Sequence, residues 1–206
     1  MRESVFFVDD DRDVRDAVSF LLTTEGLHVE VFATPGEILV AMTPEHVGCL
    51  LLDVRLPEMN GLELQQALRD RGIQLPVVFL SGHGDIPLAV RAINAGALDF
   101  VEKPFNDELL LEKVNNALEI SRTARVQDGD RRAIERRLAM LTPREREVME
   151  GILEGKLNKV IAFDLDVSIR TVEVHRAHVL EKLGARNSSD MVRLVLSTNV
   201  YRDWLL

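Results

Sequence analysis

Short apolar runs recur along the first half of the chain. Each ends in polar or turn residues, and each is followed by apolar residues at helical spacing. Val5-Phe6-Phe7-Val8, Leu50-Leu51-Leu52-Asp53, Pro76-Val77-Val78-Phe79-Leu80-Ser81 and Phe100-Val101-Glu102-Lys103 read as strands, and His28-Val29-Glu30-Val31-Phe32 alternates as a further one. An apolar run of about four residues bounded by turn signals marks a strand buried on both faces. Between them the spacing predicts helices over Asp13 to Thr24, from Thr34-Pro35, over Leu62 to Leu68, Ile86 to Ala95 and Asn106 to Ile120. Pro35 sits at a first helical position and Glu37 at the matching capping-box place. Gly82-His83-Gly84 reads as a loop. Five strands alternating with five helices predict an α/β doubly wound parallel sheet, and right-handed crossovers favour the order 2-1-3-4-5.

The pattern changes after residue 120. Ser121 to Leu138 is poor in apolar residues and rich in arginine, with Asp128-Gly129-Asp130 interrupting it. This reads as a linker, partly helical and continuing from the fifth helix. Thr142-Pro143-Arg144-Glu145 is then a strong helix start: an N-cap, a proline at the first helical position and a capping-box glutamate. That helix runs to Glu154. Three more are predicted, from Leu157 or Asn158 to Leu165, Ile169 to Leu183, and Asn187 or Ser188 to Leu196. Two short helices joined by the turn Asp166-Val167-Ser168 read as helix-turn-helix. The expected organisation is therefore an α/β domain over residues 1–120, a linker over 121–138 and an all-α four-helix domain over 139–206.

Charge sharpens this division. The whole chain carries −9, with residues 1–120 holding 9 Lys+Arg against 21 Asp+Glu and residues 121–206 holding 16 against 13. An acidic first part and a basic second part predict two domains with different partners. One cysteine, Cys49, lies inside a predicted buried strand, which fits a reducing compartment. No apolar stretch of membrane-spanning length occurs, and the start of the chain is too short in apolar residues for a signal-peptide core. A cytoplasmic protein without a membrane partner is expected.

The candidate chemistry lies at strand ends. In the order 2-1-3-4-5 the C-terminal ends of strands 1 and 3 meet at the switch point, where open α/β sheets bind ligands. Asp9 and Asp10 end strand 1, and Asp53 ends strand 3. Taken alone, Asp53 could equally cap the helix that follows it. Three carboxylates brought together repel one another, and a hard oxygen-seeking cation such as Mg²⁺ relieves that repulsion. Lys103 ends strand 5 and suits a phosphoryl oxygen, while Ser81 ends strand 4 and offers a hydroxyl. A carboxylate nucleophile, a divalent cation, an ammonium and a hydroxyl together form a set for making an aspartyl phosphate. Asp11 and Asp13 fit better as caps of the first helix, and His83 as a loop residue near the mouth of the site.

Asp9-Asp10, the Asp53…Pro57…Gly61 spacing, Ser81-Gly82 and Phe100-Val101-Glu102-Lys103-Pro104-Phe105 resemble, together and in order, the receiver domain of bacterial two-component response regulators. The resemblance implies that Asp53 is the phosphoacceptor and that Asp9, Asp10, Asp53 and the backbone carbonyl of Arg55 hold Mg²⁺. It implies that Lys103 contacts the phosphoryl group, that Ser81 and Phe100 form a switch pair, and that Lys103-Pro104 is cis. Many members carry Thr where Ser81 stands, and either supplies the hydroxyl. Phe100 as plain core remains the competing reading.

The second domain resembles the LuxR/FixJ-type DNA-binding domain through Leu141-Thr142-Pro143-Arg144-Glu145, Asn158-Lys159, Ile161-Ala162, Leu165, Thr171-Val172-Glu173-Val174-His175 and Lys182-Leu183. With the receiver in front, the chain resembles FixJ/NarL-type response regulators, the FixJ branch more closely. Base-reading candidates are Arg170, Thr171, Glu173, Val174 and Arg176, on chemical grounds: arginine pairs with guanine, glutamate accepts from cytosine, valine packs on a thymine methyl. Glu173 pairing with Arg170 or Arg176 at helical spacing is the competing reading. Lys159, Lys182 and Arg186 are phosphate candidates.

The expected function is a phosphorylation-switched transcriptional regulator rather than an enzyme. A sensor histidine kinase, double-stranded promoter DNA and a second copy of the phosphorylated chain are the expected partners, with RNA polymerase a further candidate. An aspartyl-phosphate phosphatase or phosphotransferase is the competing class. Such enzymes place a second acid two residues after the nucleophile, where this chain has Arg55. A constitutive DNA binder with a non-switching receiver is the third reading.

Overall fold

The alternation of side chains along each buried run sets the architecture of the first unit. The structure, a computed structural model, describes residues 2–82 and 86–201. The predicted loop residues His83 and Gly84 lie outside them. The chain divides into two compact units, Met1–Ala124 and Arg125–Leu206.

In the first unit the elements are β1 (Glu3–Val8), α1 (Arg12–Thr24), β2 (Val29–Phe32), α2 (Pro35–Ala41), β3 (Val47–Asp53), α3 (Gly61–Asp70), β4 (Val77–Ser81), α4 (Ile86–Asn94), β5 (Asp99–Glu102) and α5 (Asp107–Ala139). All strand pairs are parallel, and the sheet order is β2-β1-β3-β4-β5. Side chains of alternate strand residues feed two separate cores, as the two-residue period of a strand requires. Phe6, Val8, Leu50, Leu52 and Phe79 face Ile38 of α2, Leu64 and Leu68 of α3 and Ala92 of α4. Val5, Phe7, Leu51, Val78 and Leu80 face Val18 and Leu22 of α1 and Leu110, Val114 and Leu118 of α5. Cys49 belongs to the second core, and burial pushes its thiol up to about 12, so it is an inert apolar group. Gly48 allows β3 to lie against β1: its φ is +136°, and a Cβ there would fall 1.7 Å from the carbonyl oxygen of Ser4.

α5 is where the structure departs most from the sequence pattern. Periodicity ends at Ile120, yet the helix continues to Ala139. Asp128, Arg131, Arg132 and Glu135 sustain it through ion pairs at helical spacing: Arg131 with Asp128 and Glu135, and Arg132 with Asp128. A Cβ at Gly129 would meet nothing within 4 Å, so the glycine is tolerated there rather than required. Leu109 and Ile120, two of the apolar residues on the predicted helix, are 41% and 39% exposed.

The second unit takes the last turns of α5 and adds α6 (Pro143–Leu153), α7 (Asn158–Asp164), α8 (Ile169–Leu183) and α9 (Ser188–Leu196). Thr142 and Glu145 form the predicted capping box on α6. Ile134 and Leu138 of α5 enter one core with Val148 and Met149 of α6, Ile161 of α7, Val172, Val179 and Leu183 of α8, and Met191 and Val195 of α9. Gly184, at φ +68°, ends α8 in the left-handed conformation that glycine adopts at least cost. No helix among the described residues is long and apolar enough to cross a membrane.

Candidate functional site

β1 and β3 are neighbours in the sheet, so the residues after Val8 and the end of β3 share one edge. There Asp9, Asp10 and Asp53 each offer a carboxylate oxygen within 4.8 Å of the others. Asp9 and Asp53 are buried, and Asp10 is exposed. Lys103, just past β5, brings its Nζ to 2.6 Å from Asp9 Oδ2 and 2.5 Å from Asp53 Oδ2.

Backbone donors fix the carboxylates. The N–H of Arg55 donates to Asp53 Oδ1 at 2.8 Å, and the N–H of Asp11 donates to Asp9 Oδ1 at 3.0 Å. Asp11 itself caps α1, accepting from the N–H groups of Asp13 and Val14, so it is turned to the helix rather than to the acidic site. Burial pushes the Asp9 carboxyl above its ordinary value; Lys103 opposes this and the charge of Asp53 adds to it. Burial also works to lower the Lys103 ammonium, but hydrogen bonds and charge from Asp53 and Asp9 outweigh it and hold its pKa above that of an ordinary lysine.

Gly61 is required by close approach. A Cβ there would lie 2.3 Å from the carbonyl oxygen of Asp53 and 2.9 Å from the ring of Phe79. The spacing from Asp53 to Gly61 is thus the length of loop that returns α3 to the back of the strand carrying the carboxylate, where the Gly61 N–H donates to the Val54 carbonyl at 2.9 Å. Ser81 closes β4 and is buried, and its carbonyl accepts from the Lys103 N–H at 2.7 Å. The Lys103–Pro104 bond is cis. Phe100 pairs in register with Phe79, and the residue is 38% exposed. Three hard oxygen donors suit a divalent cation, and the neighbouring ammonium suits a phosphoryl oxygen.

In the second unit α7 and α8 form the helix-turn-helix. Asp166 takes a positive φ of 53° in the turn, which aspartate tolerates better than bulkier residues. Ser168 caps α8, accepting from the Thr171 N–H at 3.0 Å. Arg170, Glu173, Val174 and Ala177 are exposed on α8, as are Lys159 on α7 and Arg186 beyond α8. Thr171 is half-buried, its hydroxyl 2.8 Å from that of Ser168. Glu173 pairs with Arg170, at 3.4 Å, rather than with Arg176.

Two of the predicted DNA contacts are engaged inside the unit. Lys182 Nζ donates to Glu145 Oε2 at 2.6 Å. Arg176 donates to Asn158 Oδ1 at 2.8 Å and to Ser188 Oγ at 2.5 Å. Sequence spacing gave the helix face of these residues but not the neighbours across from it. Arg15 was missed as well: its Nη1 donates to the carbonyl of Asp9 at 2.6 Å. Its only signal was a position one helical turn beyond the acidic run.

A doubly wound sheet with this acidic edge, followed by a helix-turn-helix unit, defines a class that comparison with known proteins fixes. Residues 5–115 match the model described as response regulator receiver domain, and residues 139–195 match bacterial regulatory proteins, luxR family. The chain belongs to the response regulators that join a receiver domain to a LuxR-family DNA-binding domain, a family of transcriptional regulators rather than enzymes.

Within that family the chain is similar to the transcriptional regulatory protein FixJ of Bradyrhizobium diazoefficiens, at 39% identity over 97% of each chain. It is similar to the response regulator protein TodT of Pseudomonas putida, at 41% identity over 92% of this chain and 84% of that one. The solved structure of the response regulator StyR covers 95% of this chain and 98% of its own, at 38% identity and a TM-score of 0.83. A receiver domain implies a histidine kinase as partner, and a LuxR-family domain implies DNA.

Proposed function

We propose that Asp53 is the phosphoacceptor of this regulator. Its carboxylate oxygen attacks the phosphorus of a phosphohistidine on a partner kinase. The new O–P bond forms as the P–N bond breaks, and the electron pair stays with the leaving imidazole. The observation that carries this reading is the convergence of Asp9, Asp10 and Asp53 within 4.8 Å, with Lys103 on two of them.

The donor set fits Mg²⁺: Asp9, Asp10, Asp53 and the backbone carbonyl of Arg55 would hold it. When bound, the ion neutralises charge on the transferring phosphoryl oxygens. The remaining roles belong to the chain. The Arg55 N–H orients the Asp53 carboxylate. Lys103 leaves its carboxylate partners for the phosphoryl group, and Ser81 donates its hydroxyl to the same group. Phe100 turns from its exposed position into the space this opens, and the face around α4, β5 and α5 becomes a dimer surface. The receiver over 1–120 thereby controls a DNA-binding domain over 139–206 through the connection at 121–138. Two copies present α8 to successive half-sites in the major groove, with Arg170, Thr171, Glu173 and Val174 towards base edges and Lys159 towards phosphate. The regulator acts in the cytoplasm, on promoters served by RNA polymerase.

The test is peptide mapping after treatment with an acyl phosphate and Mg²⁺. A base-labile phosphoryl group on Asp53, lost in Asp53→Ala, is the expected result. A label elsewhere, or none, overturns the assignment.

A further inference from the structure

We infer that Arg176 positions the recognition helix and does not read a base. This rests on the proposal that α8 enters the major groove. Arg176 projects from the middle of α8, half-buried. One terminal nitrogen donates to Asn158 Oδ1 at 2.8 Å and the other to Ser188 Oγ at 2.5 Å. Asn158 is the first residue of α7 and Ser188 the first of α9. A single planar guanidinium therefore joins α8 to the starts of both flanking helices.

The geometry excludes two tasks at once. Bidentate recognition of guanine needs both terminal nitrogens of an arginine. Here one N–H of each terminal nitrogen is already bonded across the unit, so turning the guanidinium plane to a base edge would withdraw both and leave two half-buried oxygens without this donor. The other arginine of the helix is placed quite differently. The Arg170 side chain is 85% exposed, and its partner among the described residues is Glu173, at 3.4 Å and one turn along the same helix. Of the two, Arg170 is the one the structure leaves for a base edge. Arg176 instead sets the rotation of α8 about its axis, and with it the direction in which Arg170, Glu173 and Val174 point.

A flat fork that reaches two acceptors at once is a property of arginine and not of lysine, whose charge is a point on a flexible stem. That difference supplies the test. The probe is a duplex selected by the parent chain from a random library, with every single base-pair variant of it, in the presence of a phosphodonor. Arg176→Lys and Arg176→Ala are compared with Asn158→Ala and Ser188→Ala, which remove the acceptors and leave the arginine. All are measured at a temperature where their helical circular dichroism equals that of the parent.

The inference predicts that Arg176→Lys loses affinity on the order of tenfold, as Arg176→Ala does, because neither bridges both helices. The loss is spread over all base-pair variants, and the salt dependence keeps the parent's slope. The double variant Asn158→Ala with Ser188→Ala shows the same defect, and adding Arg176→Ala to it costs little more. Three results overturn the inference: lost discrimination at one base pair only, rescue by Arg176→Lys with a slope reduced by about one in Ala, or parent-like binding by all variants. If the parent itself selects no sequence, the DNA-reading proposal for α8 fails, and this inference fails with it.

Discussion

At the scale of single residues, the acidic site is a problem of charge that the chain solves with Lys103. Asp9 is buried, and its neighbours Asp10 and Asp53 bring further negative charge to the same edge. The Lys103 ammonium bonds to both buried carboxylates, and its pKa is raised by them. The same ammonium is then well placed for an added phosphoryl group, whose oxygens carry more charge than a carboxylate. Lys103→Ala is expected to keep Mg²⁺ binding, since the oxygen donors remain, and to lose the response to phosphate. Light scattering with a phosphodonor should find the variant monomeric under conditions where the parent dimerises; parent-like dimerisation would remove Lys103 from the switch. These residues were legible in the sequence because each closes a buried strand, and strand ends in a doubly wound sheet fall on one edge. Arg176 and Lys182 were not legible in the same way. Helical spacing shows which face a side chain occupies, but what stands opposite that face depends on tertiary packing.

At the scale of elements, the helix-turn-helix is held by buried polar bonds as well as by its apolar core. Glu145 completes the capping box of α6 and accepts from Lys182 of α8, so one carboxylate serves as cap and as tie between the two helices. Lys182 first, then the Thr142 N–H, hold its carboxyl down to about 2 against the opposing effect of burial. A carboxyl depressed in the folded state stabilises that state above its unfolded pKa, and the contribution disappears as pH falls through the folded value. The tie is therefore complete above about pH 4.5 and is lost between there and about pH 2. Amide exchange along α8 should accelerate over that window in the parent, and Glu145→Gln should remove most of the pH dependence. A variant with an unchanged profile would show that Glu145 does not join the helices. The caps at Thr142 and Ser168 were readable from sequence because capping is local chemistry. The continuation of α5 past Ile120 was readable as a partly helical stretch, but its unbroken run to Ala139 was not. Ile134 and Leu138 enter the core while Val126 stays exposed, and paired charges support the helix between Ile120 and Ile134.

At the scale of the whole molecule, the acidic first part and the more basic second part correspond to two different domains. One is a receiver with three carboxylates gathered at a sheet edge, and the other is a LuxR-family helix-turn-helix unit. Fold class and strand order followed from the regular alternation of buried runs and amphipathic helices, since few topologies satisfy both burial and crossover handedness. The proposed control of the second unit by phosphorylation of the first is what separates this regulator from a constitutive DNA binder. The most direct test compares DNA affinity in four samples: parent and Asp53→Ala, each with and without a small phosphodonor and Mg²⁺, on a duplex the parent selects. The account predicts that the phosphodonor tightens binding by the parent and leaves Asp53→Ala unchanged. Equal affinities in all four samples would contradict it.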